Sequence, residues 1–237
     1  DLNNNNNFDS RGFPAIDYML HGLAETTDGI LNIYNTNSSY SLYLSDLVSN
    51  MLSNTNLIIE DWNSFRDEFV ASNSNTATSA LNKMTNDFIY YYEKGLRANK
   101  IGIPAGVFSN SPLPTTVEAF YKKDVSKDLL VEALHASRNF FIGKHVNSDI
   151  IGASLESYLN FLAISSKNDL SEEILLEFDN AESQINLLNN NFVTQIEEDN
   201  MQMLLAYDAI QVLVVSFKVD MLQALSISVD YVDADGD

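Results

Sequence analysis

The sequence predicts an all-α protein, and three observations carry that prediction. Chain breakers are scarce, with 9 Gly and 4 Pro in 237 residues, which favours long helices over a sandwich or barrel. Apolar residues recur at intervals of three, four or seven, the period of a helix with one buried face. Hydrophobic residues make up 45% of the chain, enough to bury a core in one large domain or two smaller ones.

The opening residues, DLNNNNN, read as a polar linker, so the chain is expected to be a fragment or a processed form. A short helix follows, with Ser10 or Asp9 as its cap and Pro14 in its first turn. Phe13, Ile16, Asp17 and Leu20 fall near one another along it, and Gly22 ends it. The Asn/Thr/Ser stretch up to Ser38 reads as loop. From Ser39 to about Val70 a long helix carries Tyr40, Leu44, Leu47, Met51, Ile58, Trp62, Phe65 and Phe69 as one apolar stripe. Asn73-Ser74-Asn75 breaks it, and a second helix from about Thr78 to Leu96 turns Leu81, Met84, Phe88, Tyr92 and Leu96 inward. These two helices are expected to form an antiparallel hairpin.

Three of the four prolines cluster in Gly102-Ile103-Pro104-Ala105-Gly106 and Pro112-Leu113-Pro114, the best boundary by composition. Beyond it the pattern gives helices at about Ser126–Phe141, Ala153–Ser165, Ser171–Asn191 and Asp199–Leu225. The third has a heptad at Ile174, Phe178, Ala181, Ile185, Leu188 and Phe192, and the last is apolar almost all round. The expected architecture is therefore two helical bundles. Residues 1–100 give part of a first bundle, 101–125 a linker, and 126–237 a second four-helix bundle with a short extended C-terminal segment. A hairpin alone leaves its aromatic stripe wet, so the first bundle needs cover from a missing N-terminal segment or a second chain.

Charge and composition exclude several functions. With 33 acidic against 13 basic residues and a net charge of −20, the surface repels nucleic acid and anionic lipid, and attracts cations or basic peptides. Zero Cys excludes disulfides, thiolate metal sites and a cysteine nucleophile. The longest apolar run, Ala209 to Phe217, is interrupted by Gln211 and Ser216 and is short of the roughly 20 residues a membrane span needs. There is no HExxH, no Ser/His/Asp signature and no phosphate-cradling glycine loop.

The residues that could carry chemistry are few. Asp17 and His21 lie four apart on one helix, so both can reach one ion; an ordinary surface pair is the competing reading, since two ligands rarely suffice for a transition metal. Arg11 could clamp a carboxylate, orient Asp17 or form a structural salt bridge. Glu132 and His135 form one Glu-x-x-His pair, which di-iron bundles need twice, and a solvated helix face explains it equally. Asp230, Asp233, Asp235 and Asp237 resemble a calcium loop without its twelfth-position ligand, leaving a structural tail or a weak calcium site. Lys218 and Asp220 interrupt the buried last helix and require an internal ion pair or a place in a cleft.

Three segments in order carry a family resemblance. Asp9-Ser10-Arg11-Gly12-Phe13-Pro14-Ala15-Ile16-Asp17-Tyr18-Met19-Leu20 resembles the motif-bearing helix of imelysin-like proteins. Gly102 through Pro114 to Tyr121 resembles their central linker, and Ser226-Ile227-Ser228-Val229-Asp230 with the terminal Asp235-Gly236-Asp237 resembles their closing segment. The family motif is GxHxxE; here Gly12 is kept, Pro14 stands at the His position and Asp17 at the Glu position. Losing the imidazole removes the best nitrogen ligand and a base with a near-neutral pKa, which argues against catalysis.

The resemblance implies two helical bundles, of which this chain would be the C-terminal two-thirds. It implies a cell-envelope binding protein of the periplasm or outer surface, lipid-anchored in the intact protein and linked to uptake of iron or another metal. Membrane contact would come only through a lipid anchor outside this chain. The ligand is expected in the cleft between bundles, beside Arg11, Gly12, Pro14, Asp17 and His21. Asp17 and His21 are the candidate ligands for iron or zinc, and a haem-like or peptide ligand stays open. A metallopeptidase of the imelysin type is the alternative, needing three protein ligands and a general base in one place. A structural or adhesion module is the second alternative.

Overall fold

Phe217 sits among four other aromatic rings: Phe88 and Tyr92 at 5.2 Å between centroids, Phe178 at 5.9 Å and Phe141 at 6.2 Å. In the computed structural model, which describes residues 2, 4–166 and 169–230, these rings bring together residues far apart in the chain. The protein is all-α, with one isolated antiparallel bridge between Lys144 and Ile151 and no strand among the described residues.

The helices are α1 (Phe13–Asp17), α2 (Thr27–Thr36), α3 (Ser38–Ala71), α4 (Ala80–Tyr90), α5 (Ser126–Ile142), α6 (Leu155–Ser166), α7 (Leu170–Asn186) and α8 (Phe192–Val215). Three of them run on into loosely wound π-helical stretches: α1 into Tyr18–Gly22, α4 into Tyr91–Gly102 and α8 into Ser216–Met221. The chain divides into two compact units. The first comprises the described residues up to Ala71 plus Ala119–Lys123, and the second comprises Ser72–Glu118 and the described residues from Asp124 onward.

The second unit holds a continuous core drawn from α4, α5, α7 and α8, with Leu155 and Leu159 of α6 packed alongside. The heptad residues Ile174, Phe178, Ala181, Ile185, Leu188 and Phe192 are all buried. Phe192 opens the next helix instead of closing α7, because Asn191 caps α8 by accepting from the Val193 and Thr194 N–H groups. Asp199, expected to start the last helix, is a non-helical kink inside it. From Phe192 to Leu225 the helix is long and apolar enough to cross a membrane by composition alone. It is instead the centre of the bundle, with Met203, Ile210, Leu213 and Phe217 fully buried.

Three sequence expectations change here. The second helix of the expected hairpin, α4, belongs to the second unit, because Phe88, Ile89, Tyr92 and Leu96 are buried in that unit's core. The Gly102–Gly106 stretch is no linker: it ends α4, and Pro104 and Ala105 are buried. Gly106, at φ 83°, closes it with Val107 N–H bonded to Gly102 O at 2.9 Å and Gly106 N–H to Ile103 O at 3.1 Å, a Schellman ending. The presumed loop before Ser38 contains α2, whose Thr26 cap accepts from Gly29 N–H at 3.1 Å; its Asn, Thr and Gly content hid it.

The first unit consists of α1, α2, α3 and the Ala119–Lys123 strap. Met19 and Leu47 are its buried apolar side chains among the described residues. Much of the α3 stripe lies open, with Ile58 69% exposed. Trp62, Phe65 and Phe69 pack edge-on against one another.

Candidate functional site

The motif segment builds its own support. Gly12, at φ 81°, turns the chain into α1, and Pro14 occupies the first turn where its missing N–H costs nothing. Arg11 engages the segment before the motif: its Nη1 donates to Leu2 O at 2.6 Å and its guanidinium lies 4.0 Å over the Phe8 ring. Arg11 therefore ties down the N-terminal segment. The Tyr43 hydroxyl donates to Ser10 O, and the Tyr34 hydroxyl to Met19 O at 2.9 Å, joining α3 and α2 to the motif segment. Burial raises the Tyr34 hydroxyl above its ordinary value.

Asp17 spends both carboxylate oxygens on the strap. Oδ2 accepts from Tyr121 N–H and Oδ1 from Lys122 N–H, each at 2.9 Å. The Tyr121 ring meets Tyr18 edge-on at 5.1 Å and presses on Gly22. A Cβ at Gly22 would lie 2.5 Å from the Tyr18 ring and 2.6 Å from the Tyr121 ring, so only glycine permits this approach.

His21 instead faces a pocket of about 820 Å³ contained within the first unit, inside the usual range of about 300–1,000 Å³ for small-molecule sites. Leu20 and His21 come from the loosened turn, Glu25 and Thr26 from the following linker, and Thr27, Ile30, Leu31 and Tyr34 from α2. On α3, Leu44 and Val48 supply apolar wall, while Ser41, Ser45 and Ser49 repeat at four-residue spacing and leave room beside it. Tyr121 of the strap is the remaining ring.

This donor set is short of what a bare zinc or iron ion requires. Asp17 is engaged by backbone amides, His21 offers one nitrogen, and no three His, Cys, Asp or Glu side chains come together among the described residues. The three ligands of a metallopeptidase centre are therefore not assembled there.

A second polar centre, of which the sequence pointed to Lys218 but not to Glu93 or Arg97, lies inside the second unit. Glu93 and Arg97 are fully buried on the loosened part of α4 and form an ion pair at 3.4 Å. Lys218, on the loosened part of α8, donates to both Glu93 oxygens at 3.4 Å. The Arg97 guanidinium also donates to the Tyr207 hydroxyl at 2.9 Å and to Gln211 Oε1, and stacks near the Phe108 and Tyr207 rings. Lys218 thus takes the internal ion pair, whereas Asp220 is exposed. A Glu-x-x-x-Arg pair within the Tyr92–Leu96 apolar stripe was the available signal.

Nearby, Ser216 Oγ donates to Glu177 Oε1 at 2.8 Å. Burial raises the Glu177 carboxyl above the usual range, and the charges of Glu173 and Asp220 add to the rise against the Ser216 hydrogen bond. Glu177 Oε2 and the Tyr92 hydroxyl are buried without a hydrogen-bond partner in the protein.

The other sequence candidates are dispersed. His135 pairs with Glu182 of α7 at 3.0 Å, so its neighbour Glu132 is not its partner. His145 lies in the turn after α5, accepting from Asn147 N–H at 3.2 Å. Asp230 donates its N–H to Asn86 Oδ1 at 3.2 Å, fastening the extended tail to α4. Asp233, Asp235 and Asp237, the rest of the calcium-like pattern, lie outside the described residues.

Fold and site thus define a class: an all-α protein of two helical units whose first unit presents a motif helix against a pocket. The family model for imelysin matches residues 1–218, and the chain belongs to the imelysin family. No curated protein matches it.

Proposed function

We propose that this chain is a non-catalytic, cell-envelope binding protein that serves the uptake of iron or another metal and takes it up as an organic complex. The observation that carries this reading is the pocket itself. Its walls are largely apolar, its polar groups are hydroxyls with one imidazole and one carboxylate, and it is of small-molecule size. A bare ion would want several converging charged ligands; an organic chelate wants apolar and aromatic wall. The substitution of Pro14 and Asp17 into the GxHxxE positions points the same way, away from hydrolysis. The reading further supposes a periplasmic or outer-surface location through a lipid anchor, and helices from outside the described residues covering the apolar face of α3.

The test uses iron protoporphyrin as a probe, beside metal-free protoporphyrin and a ferric salt. Saturable binding at one site by absorbance titration is expected, removed by Leu44→Trp, which fills the pocket. Retention of the ferric salt or zinc with no binding of either porphyrin would overturn the reading, as would chelator-sensitive peptide cleavage. Fractionation of cells expressing the native gene checks the envelope location.

A further inference from the structure

We propose that Asp17 is a positioning residue: it clamps the Ala119–Lys123 strap to the motif helix and so makes Tyr121 a fixed wall of the pocket. Three independent observations converge on this. First, both carboxylate oxygens accept from consecutive backbone amides at 2.9 Å, and hydrogen bonds to an ionised acceptor are roughly twice as strong as neutral ones. Second, the strap is a conformation that needs holding. Ala119 at φ 55° and Lys123 at φ 70° stand in the left-handed region at its two ends, which L side chains avoid. The Lys123 N–H to Ala119 O bond at 2.8 Å closes the loop between them. Third, the ring of Tyr121 lies in the space that Gly22 leaves open, edge-on to Tyr18.

The acid of the motif therefore acts through Tyr121 and not on a ligand or ion. Together Tyr121 and Tyr34 give the pocket two aromatic surfaces, and Leu44 and Val48 add aliphatic wall. That lining fits a ligand with a flat, ring-bearing body. The ligand part of this inference rests on the pocket reading above; the clamp does not.

Two measurements keep those parts separate. In ligand-free full-length protein, Asp17→Ala should speed amide exchange at Tyr121 and Lys122 on the order of 10–100-fold, the factor that loss of charge-assisted hydrogen bonds implies. Amides of α7 and α8 should be unchanged. Equal exchange at Tyr121 and Lys122 in both proteins overturns the proposal, whatever the pocket binds. In the iron protoporphyrin titration, Asp17→Ala and Tyr121→Ala should weaken binding by similar factors of about ten, with Tyr121→Phe within about threefold of wild type. Wild-type binding that survives Asp17→Ala, despite faster strap exchange, overturns the positioning role. If wild type binds no porphyrin, the pocket reading fails, and the exchange result alone decides the clamp.

Discussion

In the second unit Phe217 is fully buried among four aromatic rings, whereas in the first unit Trp62 and Phe65 pack against each other on the open side of α3. The second unit draws its cohesion from apolar area removed from water, at about 25 cal/mol per Å². The first has Met19 and Leu47 as its buried apolar side chains among the described residues. Its helices are joined by directed hydrogen bonds from Tyr34, Tyr43 and Asp17 to backbone groups. Such bonds contribute about 1 kcal/mol each in neutral form and somewhat more when one partner is charged. One unit is held by its interior, the other by a few named contacts, and the pocket sits in the second kind of structure.

The contrast can be broken most directly at Phe217. Phe217→Ala should cost about 4 kcal/mol in chemical denaturation of the second unit, since four rings lose their common neighbour. Next in size, Arg97→Met should cost about 3 kcal/mol by the same measurement, because the Glu93 carboxylate stays fully buried and loses its ion pair with Arg97 while keeping that with Lys218. A negligible loss at either position would show that the core does not dominate as argued.

A smaller effect is expected from pH. Glu177 has a folded pKa above its unfolded value of about 4.5, so its charging opposes folding. The stability it contributes is present below about pH 4.5 and is lost as pH rises through the raised folded value. Glu177→Gln should therefore melt higher than wild type at pH 7, with the gap closing toward pH 4. A gap of the same size at both pH values would show that Glu177 is not destabilised by its charge. Smallest of all, Ile58→Ser in the isolated chain should change stability by no more than about 0.5 kcal/mol, the range for open surface positions. A loss several times larger would show that the α3 face is covered in solution, and the two units would then be less unlike.

Most of the fold was legible because amphipathic period is local. The α5 helix starts at Ser126 as read, and the α7 heptad is buried throughout. Two of the misreadings share a cause, that composition does not fix conformation. Thr and Asn suggested a loop where Thr26 caps α2, and Gly with Pro suggested a linker where Gly106 merely ends a buried helix. At the site, the four-residue spacing of Asp17 and His21 put both on one continuous helical segment. What each one touches was beyond reach, since the Asp17 partners are Tyr121 and Lys122, more than a hundred positions away. Glu93 and Lys218 are likewise more than a hundred positions apart. Periodicity carries no information about such pairings.

The three loosened helical stretches have a consequence for how the chain tolerates length changes. A π-helical turn accommodates one residue more than regular winding would place there. Deleting a residue from a regularly wound helix swings every later side chain by about 100°, whereas a deletion within Tyr91–Gly102 can be absorbed by tightening the loose winding, so that later side chains keep their faces. Frame-preserving losses of a single codon in that stretch, outside Glu93 and Arg97, should therefore damage the protein less than equal losses in the regularly wound Ala80–Tyr90 part of the same helix.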